Sequence, residues 1–452
     1  MLCAGVVCDD GNECTVDDCD PMDGQCDHSN VMNSTACDFS GLPGVCTVGV
    51  CEKVKQWGIP VTIDDGAGES GTPMLAVDPT GKVVVGWSQR TGSVGSIWTN
   101  RYVPGAEWGS PEEIDDSAQN AYQVQVALDR TGNAIAVWEE YDGTYYRVRA
   151  NTYGPSTGWG TPETLQRSGE NAGWPHVAFD DDGNAIAVWT QNDGATYNIW
   201  ANRYMPTGGW LGDERISNDG SNLTNVPRIA FDPDGNATAV WHQRNARGGL
   251  DIQANRYTPL GAWTTPYIIG AGEIPRVAVD PAGNAIVAWN SGSNRYTPSA
   301  GWIGPLSFPA SGARPELAVD QGGNAIAVWN QHNGTRHNIW ASRFTPARGW
   351  GPAELIENND EGSDPSNAEV AFDPNGNAIA VWNHNASYTG TGNDIWANRF
   401  TPTAGWETEQ LIETGDGPAG SPQIVFDANG DATVVWQQSD GTTYRIWANR
   451  FE

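Results

Sequence analysis

Apolar residues along this chain come in short runs at strand spacing, and the runs repeat. One run, such as 226-VPRIAF-231, leads into a turn of the form Asp-Pro-x-Gly-Asn. The next, such as 236-NATAVW-241, is apolar on both faces. Two more follow, as in 198-NIWANRYMP-206 and in 158-GWGTPETL-165, which opens on Gly-Trp and ends on an aliphatic residue. The pattern predicts four strands per unit. Pro presets φ for the second position of a type I turn and Gly accepts the left-handed conformation after it, so strands one and two form a tight hairpin. A strand of a one-sided sheet alternates apolar with polar. The second strand here must instead be covered on both sides, as happens when blades stack radially, and its alanines permit close approach near an axis. No stretch has the period of an amphipathic helix, and none reaches the roughly 18 apolar residues of a membrane span.

The unit occurs eight times. Its turn carboxylate recurs as Asp78, Asp129, Asp180, Asp232, Asp280, Asp320, Asp373 and Asp427, a mean step of about 50 residues. A repeat of this length built from short strands predicts an all-β fold, a β-propeller. The fourth strand opens on Trp108, Trp159, Trp210, Trp263, Trp302, Trp350 and Trp406, and an eighth copy, 57-WGIPVTI-63, precedes every blade. The last unit stops after its third strand, at 445-RIWANRFE-452. The orphan strand at the N-terminus is therefore expected to complete the last blade, which closes the ring and removes exposed sheet edges. The fifth unit is short: Trp289 is followed almost at once by 294-NRYTP-298. Its turn, its third-strand stem and Trp302 are all present, so eight blades over 55–452 is the expectation and seven the alternative.

Residues 1–54 are a different object. They hold all eight cysteines: Cys3, Cys8, Cys14, Cys19, Cys26, Cys37, Cys46 and Cys51. An even number in so short and polar a stretch predicts a disulfide framework, formed in an oxidising compartment. The competing metal-cluster reading lacks a CxxC pair, and its only local histidine is His28. The run 8-CDDGNECTVDDCDPMDGQC-26 resembles the Dictyostelium-type cysteine-rich repeat, C-D-D-G-N-x-C-T-x-D-x-C-D. That resemblance implies an extracellular matrix or cell-surface protein. Asp10, Asn12, Asp17, Asp18 and Asp20 offer the hard oxygens that Ca²⁺ requires, the bland alternative being solvated turn residues; no other cofactor is expected.

The net charge is −31 and the sequence pI near 4.3. No basic patch is available to cover phosphates, so nucleic acid is excluded as a partner and membrane insertion is not expected. Such acidity acts mainly as a solubility device. Met-Leu-Cys carries no signal peptide, yet the cysteines demand export, so Met1 is expected to stand in place of a removed signal. The Asn-x-Ser/Thr sequon at Asn236 opens an inner strand, where a glycan would clash, which favours a bacterial source.

Three lanes hold all but one of the 22 tryptophans. The second-strand lane (Trp87, Trp138, Trp189, Trp241, Trp289, Trp329, Trp382, Trp436) and the fourth-strand lane are filled in every repeat, as blade packing requires. The third-strand lane holds Trp98, Trp200, Trp340, Trp396 and Trp447, with Arg149 and Gln253 in repeats two and four and a deletion in repeat five. A position that accepts Trp, Arg or Gln reads as partly wet, and a flat exposed ring beside polar groups suits a sugar. These five are the candidate ligand-binding residues, with peripheral packing as the alternative. The recurring Arg101, Arg203, Arg256, Arg295, Arg343, Arg399 and Arg450 are expected to pair with the turn aspartates, Thr152 taking the place in repeat two.

Signals of catalysis are poor. His176, His242, His332, His337 and His384 share no repeat position, and HExxH and GxSxG are absent. The stretch V-A-V-D-x-x-G-N over the first two strands is similar to the NHL repeat, and IWANRYTPxxGW resembles the repeats of Photorhabdus-type propeller lectins. The latter likeness implies multivalent sugar binding between blades. The expectation is a secreted or cell-surface, non-catalytic, lectin-like binding protein with a glycan or surface protein as partner. The alternatives are a structural or adhesive protein and an exported glycan hydrolase.

Overall fold

The computed structural model describes residues 8–452, except 20–24, 32–34, 40–41, 48–49, 117, 168–169, 219–223, 261, 310–313, 359–364, 385–392 and 416. Two compact units emerge, residues up to 58 together with 451–452, and residues 59–450.

The larger unit is an eight-bladed β-propeller. Blade three shows the plan, with antiparallel strands Ala172–Phe179, Ala185–Asn192, Tyr197–Met205 and Gly209–Arg215 in that order. In most blades the fourth strand is broken into two short segments. First strands of successive blades touch all the way round, and Ala419–Phe426 of blade eight meets Met74–Val77 of blade one. They are therefore the innermost strands. Blade five is complete despite its shortened hairpin between Ala285–Trp289 and Gly292–Thr297. Val61–Thr62 supplies the fourth strand of blade eight, with Thr62 opposite Trp447 and Val61 opposite Ala448. Trp57 bridges Phe451, their rings 5.4 Å apart.

Second strands are buried on both faces, and all eight of their tryptophans lie in the core. In six blades the indole N–H is satisfied by the Gln or Glu two residues on, as Trp189 donates to Gln191 at 2.9 Å. The turn aspartate caps its own hairpin. Asp180 accepts the N–H groups of Asp182 and Asn184 and the Asn184 side-chain amide, while Gly183 takes φ 80°.

Two side chains of the third strand knit neighbouring blades. Asn100, Asn151, Asn202, Asn255, Asn294, Asn398 and Asn449 each donate to the carbonyl that ends the preceding blade's fourth strand, at 2.7–3.1 Å. The recurring arginines behave differently from the expectation. Arg256 reaches the aspartate at the head of its turn, Asp232, at 3.2 Å. Arg101, Arg203, Arg256, Arg295, Arg343 and Arg450 lie over the third-strand ring of the next blade, from 3.5 Å (Arg101 over Tyr153) to 5.7 Å. The ring's negative face takes the cation and leaves the aspartate free to cap the turn.

The N-terminal unit holds a hairpin of Thr15–Cys19 with Cys26–Asn30 and a three-stranded sheet of Ala36–Phe39, Leu42–Thr47 and Val50–Lys53. Its disulfides join Cys8–Cys26, Cys14–Cys46 and Cys37–Cys51. Cys19 is also disulfide-bonded, and Cys3 lies outside the described residues. Such bonds belong to an oxidising compartment. Among the described residues no helix is long and apolar enough to cross a membrane. These cystines all lie before residue 52, so reduction should loosen this unit and leave the propeller's thermal transition where it was. Calorimetry with and without reductant checks this, and a thiol titration of the denatured, unreduced chain should read zero.

Candidate functional site

The innermost strands carry a feature of their own. Six positions in them, Gln123, Trp174, Val226, Ile274, Asn367 and Ser421, stand at φ between 51° and 57°. Each lies six residues before the turn aspartate of its blade. None is glycine, and left-handed backbone there costs of order 1–3 kcal/mol apiece. In five of these blades the pairing to the second strand slips at that point, between Gly173 and His176 in blade three for example. A bulge of this kind turns a side chain out of the sheet. Trp174, Val226, Ile274, Asn367 and Ser421 all line a cavity of about 690 Å³ in the ring of first strands.

Two residues further on, at the fourth position before the aspartate, the chain places Gln125, His176, Arg228, Arg276, Glu316, Glu369 and Gln423 in blades two to eight. Five of them, from Arg228 to Gln423, line the same cavity. Arg276 grips Glu316 of the next blade in a bidentate pair. Gln423 donates to Glu369 at 2.9 Å. Burial, and then Glu316, push the Glu369 carboxyl up to about 8. Arg228 donates to its neighbour Pro227's carbonyl at 3.0 Å and forms no ion pair among the described residues. Burial and then Arg276 lower it to about 9. Burial, then Arg228 and Arg276, hold His176 well below the usual imidazole range.

A second cavity of about 370 Å³ adjoins on the same side, and Trp174 lines both. This is the one tryptophan outside the three lanes, and it is 44% exposed. Its backbone N–H donates to Glu139 at 2.6 Å. A side chain on Gly173 would meet the same carboxylate at 2.7 Å, so glycine leaves it room for this approach. Burial raises the Glu139 carboxyl. Tyr146, Tyr197, Asn171, Asn225 and Thr190 complete the wall. The result is an exposed aromatic plate ringed by hydroxyls and amides.

The third-strand tryptophans fall elsewhere. Trp98, Trp200, Trp340, Trp396 and Trp447 are half-buried within their blades and line none of the cavities described. Trp200 stands opposite Trp189 on one side and Arg215 on the other. Where the lane changes residue, Arg149 is held by Glu140 and Asp116, and Gln253 is buried. In the N-terminal unit Asp17 holds His28 at 2.8 Å, which lowers its carboxyl. Asp10 accepts from Asn12 and Thr15, and Asn12 from Cys14, so these oxygens already serve internal bonds. The Asp18 side chain and all of Asp20 lie outside what is described.

No family model matches the chain, and no curated protein matches it. Its fold is similar to that of Sqt1 from Chaetomium thermophilum, at TM-score 0.52 and 15% identity, covering 86% of this chain and 97% of that one. It is also similar to a protein of unknown function from Dyadobacter fermentans, at 0.47 and 11%, covering 88% and 99%. An α-L-arabinofuranosidase of Fusarium graminearum matches at 0.42 and 11%, covering 66% and 98%.

Proposed function

We propose that this is an extracellular, non-catalytic, carbohydrate-binding propeller whose ligand sits on Trp174. The observation that supports it most is Trp174 itself: a half-exposed indole, held on strained backbone, shared by two adjoining cavities lined with Asn, Thr and Tyr side chains. A flat ring covers the apolar face of a sugar while amides and hydroxyls bind its oxygens. The likeness of IWANRYTPxxGW to Photorhabdus-type lectin repeats supports the same reading. The disulfides and the likeness to Dictyostelium-type repeats support a place outside the cell. Added weak contacts at Trp98, Trp200, Trp340, Trp396 and Trp447 make the binding multivalent in this reading, with avidity on clustered glycans.

A glycan array of the wild type beside Trp174→Ala tests the proposal. Truncating an aromatic anchor costs about 2 kcal/mol or more, which is more than about tenfold in affinity. The expected result is loss of the array signal with an unchanged melting temperature. An array blank for the wild type, or signals indifferent to Trp174, sinks the idea. One observation favours a second reading, glycan hydrolysis: Glu369, its carboxyl pushed up by burial, shares a cavity with Glu316, which is held in an ion pair by Arg276, and two carboxyl groups in unlike environments are what acid–base work needs. Release of reducing sugar that Glu369→Gln abolishes would replace the binding reading with that one.

A further inference from the structure

We propose that the axial cavity takes the carboxylate of an acidic sugar, a uronic acid residue, with Arg228 as its ion-pair partner. The proposal rests on the carbohydrate reading above and names the ligand class. It starts from an imbalance among the charged groups of the inner ring. Arg276 is committed to Glu316 through two hydrogen bonds. Glu369 is held by Gln423. Arg228 lines the cavity with one hydrogen bond, to the Pro227 carbonyl, and forms no ion pair among the described residues. The charges that act on it are Arg276 first, then Glu316 and Glu369.

An uncompensated cation is costly to bury unless something anionic meets it. A guanidinium fork matches a carboxylate in both geometry and charge, more closely than it matches a neutral hydroxyl. Three carboxylates line the same space, Glu273, Glu316 and Glu369, against three guanidinium groups, Arg228, Arg276 and Arg314. Glu316 is paired with Arg276, Glu273 accepts the Asn290 side-chain amide, and burial pushes the Glu369 carboxyl up. In a chain of net charge −31 this is a local site where a negative ligand meets positive charge. The cavity also contains Trp174. One ligand that places its ring on the indole and its carboxylate on the guanidinium uses both features.

Calorimetric titration of the full chain with glucuronic acid and with glucose tests this. The wild type should bind the acid at least tenfold more tightly. Arg228→Gln should bind both sugars alike, at the glucose level, with its melting temperature retained. Arg228→Lys, which keeps the charge but loses the fork, should hold part of the preference. Equal binding of the two sugars by the wild type, or a preference that survives Arg228→Gln, overturns the carboxylate assignment. If that equal binding is abolished by Trp174→Ala, the carbohydrate reading stands without it. If neither sugar binds, both fall. Acetate that competes with glucuronic acid in the wild type and not in Arg228→Gln would further support the carboxylate assignment.

Discussion

A chain lacking residues 1–64 should lose several kcal/mol of stability, while a chain lacking 1–54 should melt like the full-length propeller. The difference lies in what residues 57–64 close. Val61–Thr62 is the fourth strand of blade eight, and Ile63 behind it is 2% exposed in the cluster that also holds Trp87 and Ile446. The Ile63 carbonyl accepts the Asn100 side-chain amide at 2.7 Å, the bond that joins blade eight to blade one. Asp64 accepts Arg445 at 2.6 Å and the Ile446 N–H at 2.9 Å, and Ser70 donates to it at 2.7 Å. Removing these partners orphans the Ile446 N–H and strips one acceptor each from the Asn100 amide, which keeps the Gly109 carbonyl, and from the Arg445 guanidinium, which keeps Asp440. The orphaned group costs about 1–3 kcal/mol, and the lost isoleucine adds about 2–5. The shorter truncation keeps all of these contacts. Urea denaturation of both chains reads the difference, and coincident midpoints would show that the ring does not depend on this strand.

The propeller was legible because its repeats are redundant. Eight turn aspartates and eight fourth-strand tryptophans sit in one frame, so an orphan Trp-Gly-x-Pro at residue 57 had to belong somewhere. The axial site was not legible, and the reason is physical. Its residues share a position but no chemistry: Gln125, His176, Arg228, Arg276, Glu316, Glu369 and Gln423 read one by one as scattered polar substitutions. The bulge before them is equally silent, because Gln123, Trp174, Val226, Ile274, Asn367 and Ser421 have no common residue type to announce positive φ. Alignment of the repeats by their aspartates would have exposed the charged column. Trp174 was the clearest missed signal, a tryptophan with no counterpart in any lane. The arginine column was visible but misassigned, since a turn aspartate is nearer in sequence than the next blade's ring is. Thr152 held the clue: with no arginine there, no cation from blade two covers Tyr204.

Trp189→Ala should cost about 3–5 kcal/mol, and Trp200→Ala markedly less, although the two rings face each other across one strand pair. Trp189 is fully buried. It packs with Val148, Ala150 and Leu165 of blade two and Val177 of its own blade, so it fills the seam between blades. Its N–H is bonded to Gln191, whose own burial leaves the amide oxygen without that donor once the ring is gone. Alanine leaves a cavity in a close-packed seam and takes one donor from Gln191, and the rigid neighbouring blade limits collapse. Trp200 packs on the same cluster but is only half-buried, so less apolar area returns to water and the vacated space opens to solvent. Its N–H has no hydrogen-bond partner to lose. Denaturant midpoints of the two variants decide between roles for the third lane. A large gap leaves the half-exposed rings available for ligand. Equal losses would make the third lane core, withdraw Trp98, Trp200, Trp340, Trp396 and Trp447 from any binding role, and leave the axial cavities around Trp174 as the binding surface of this propeller.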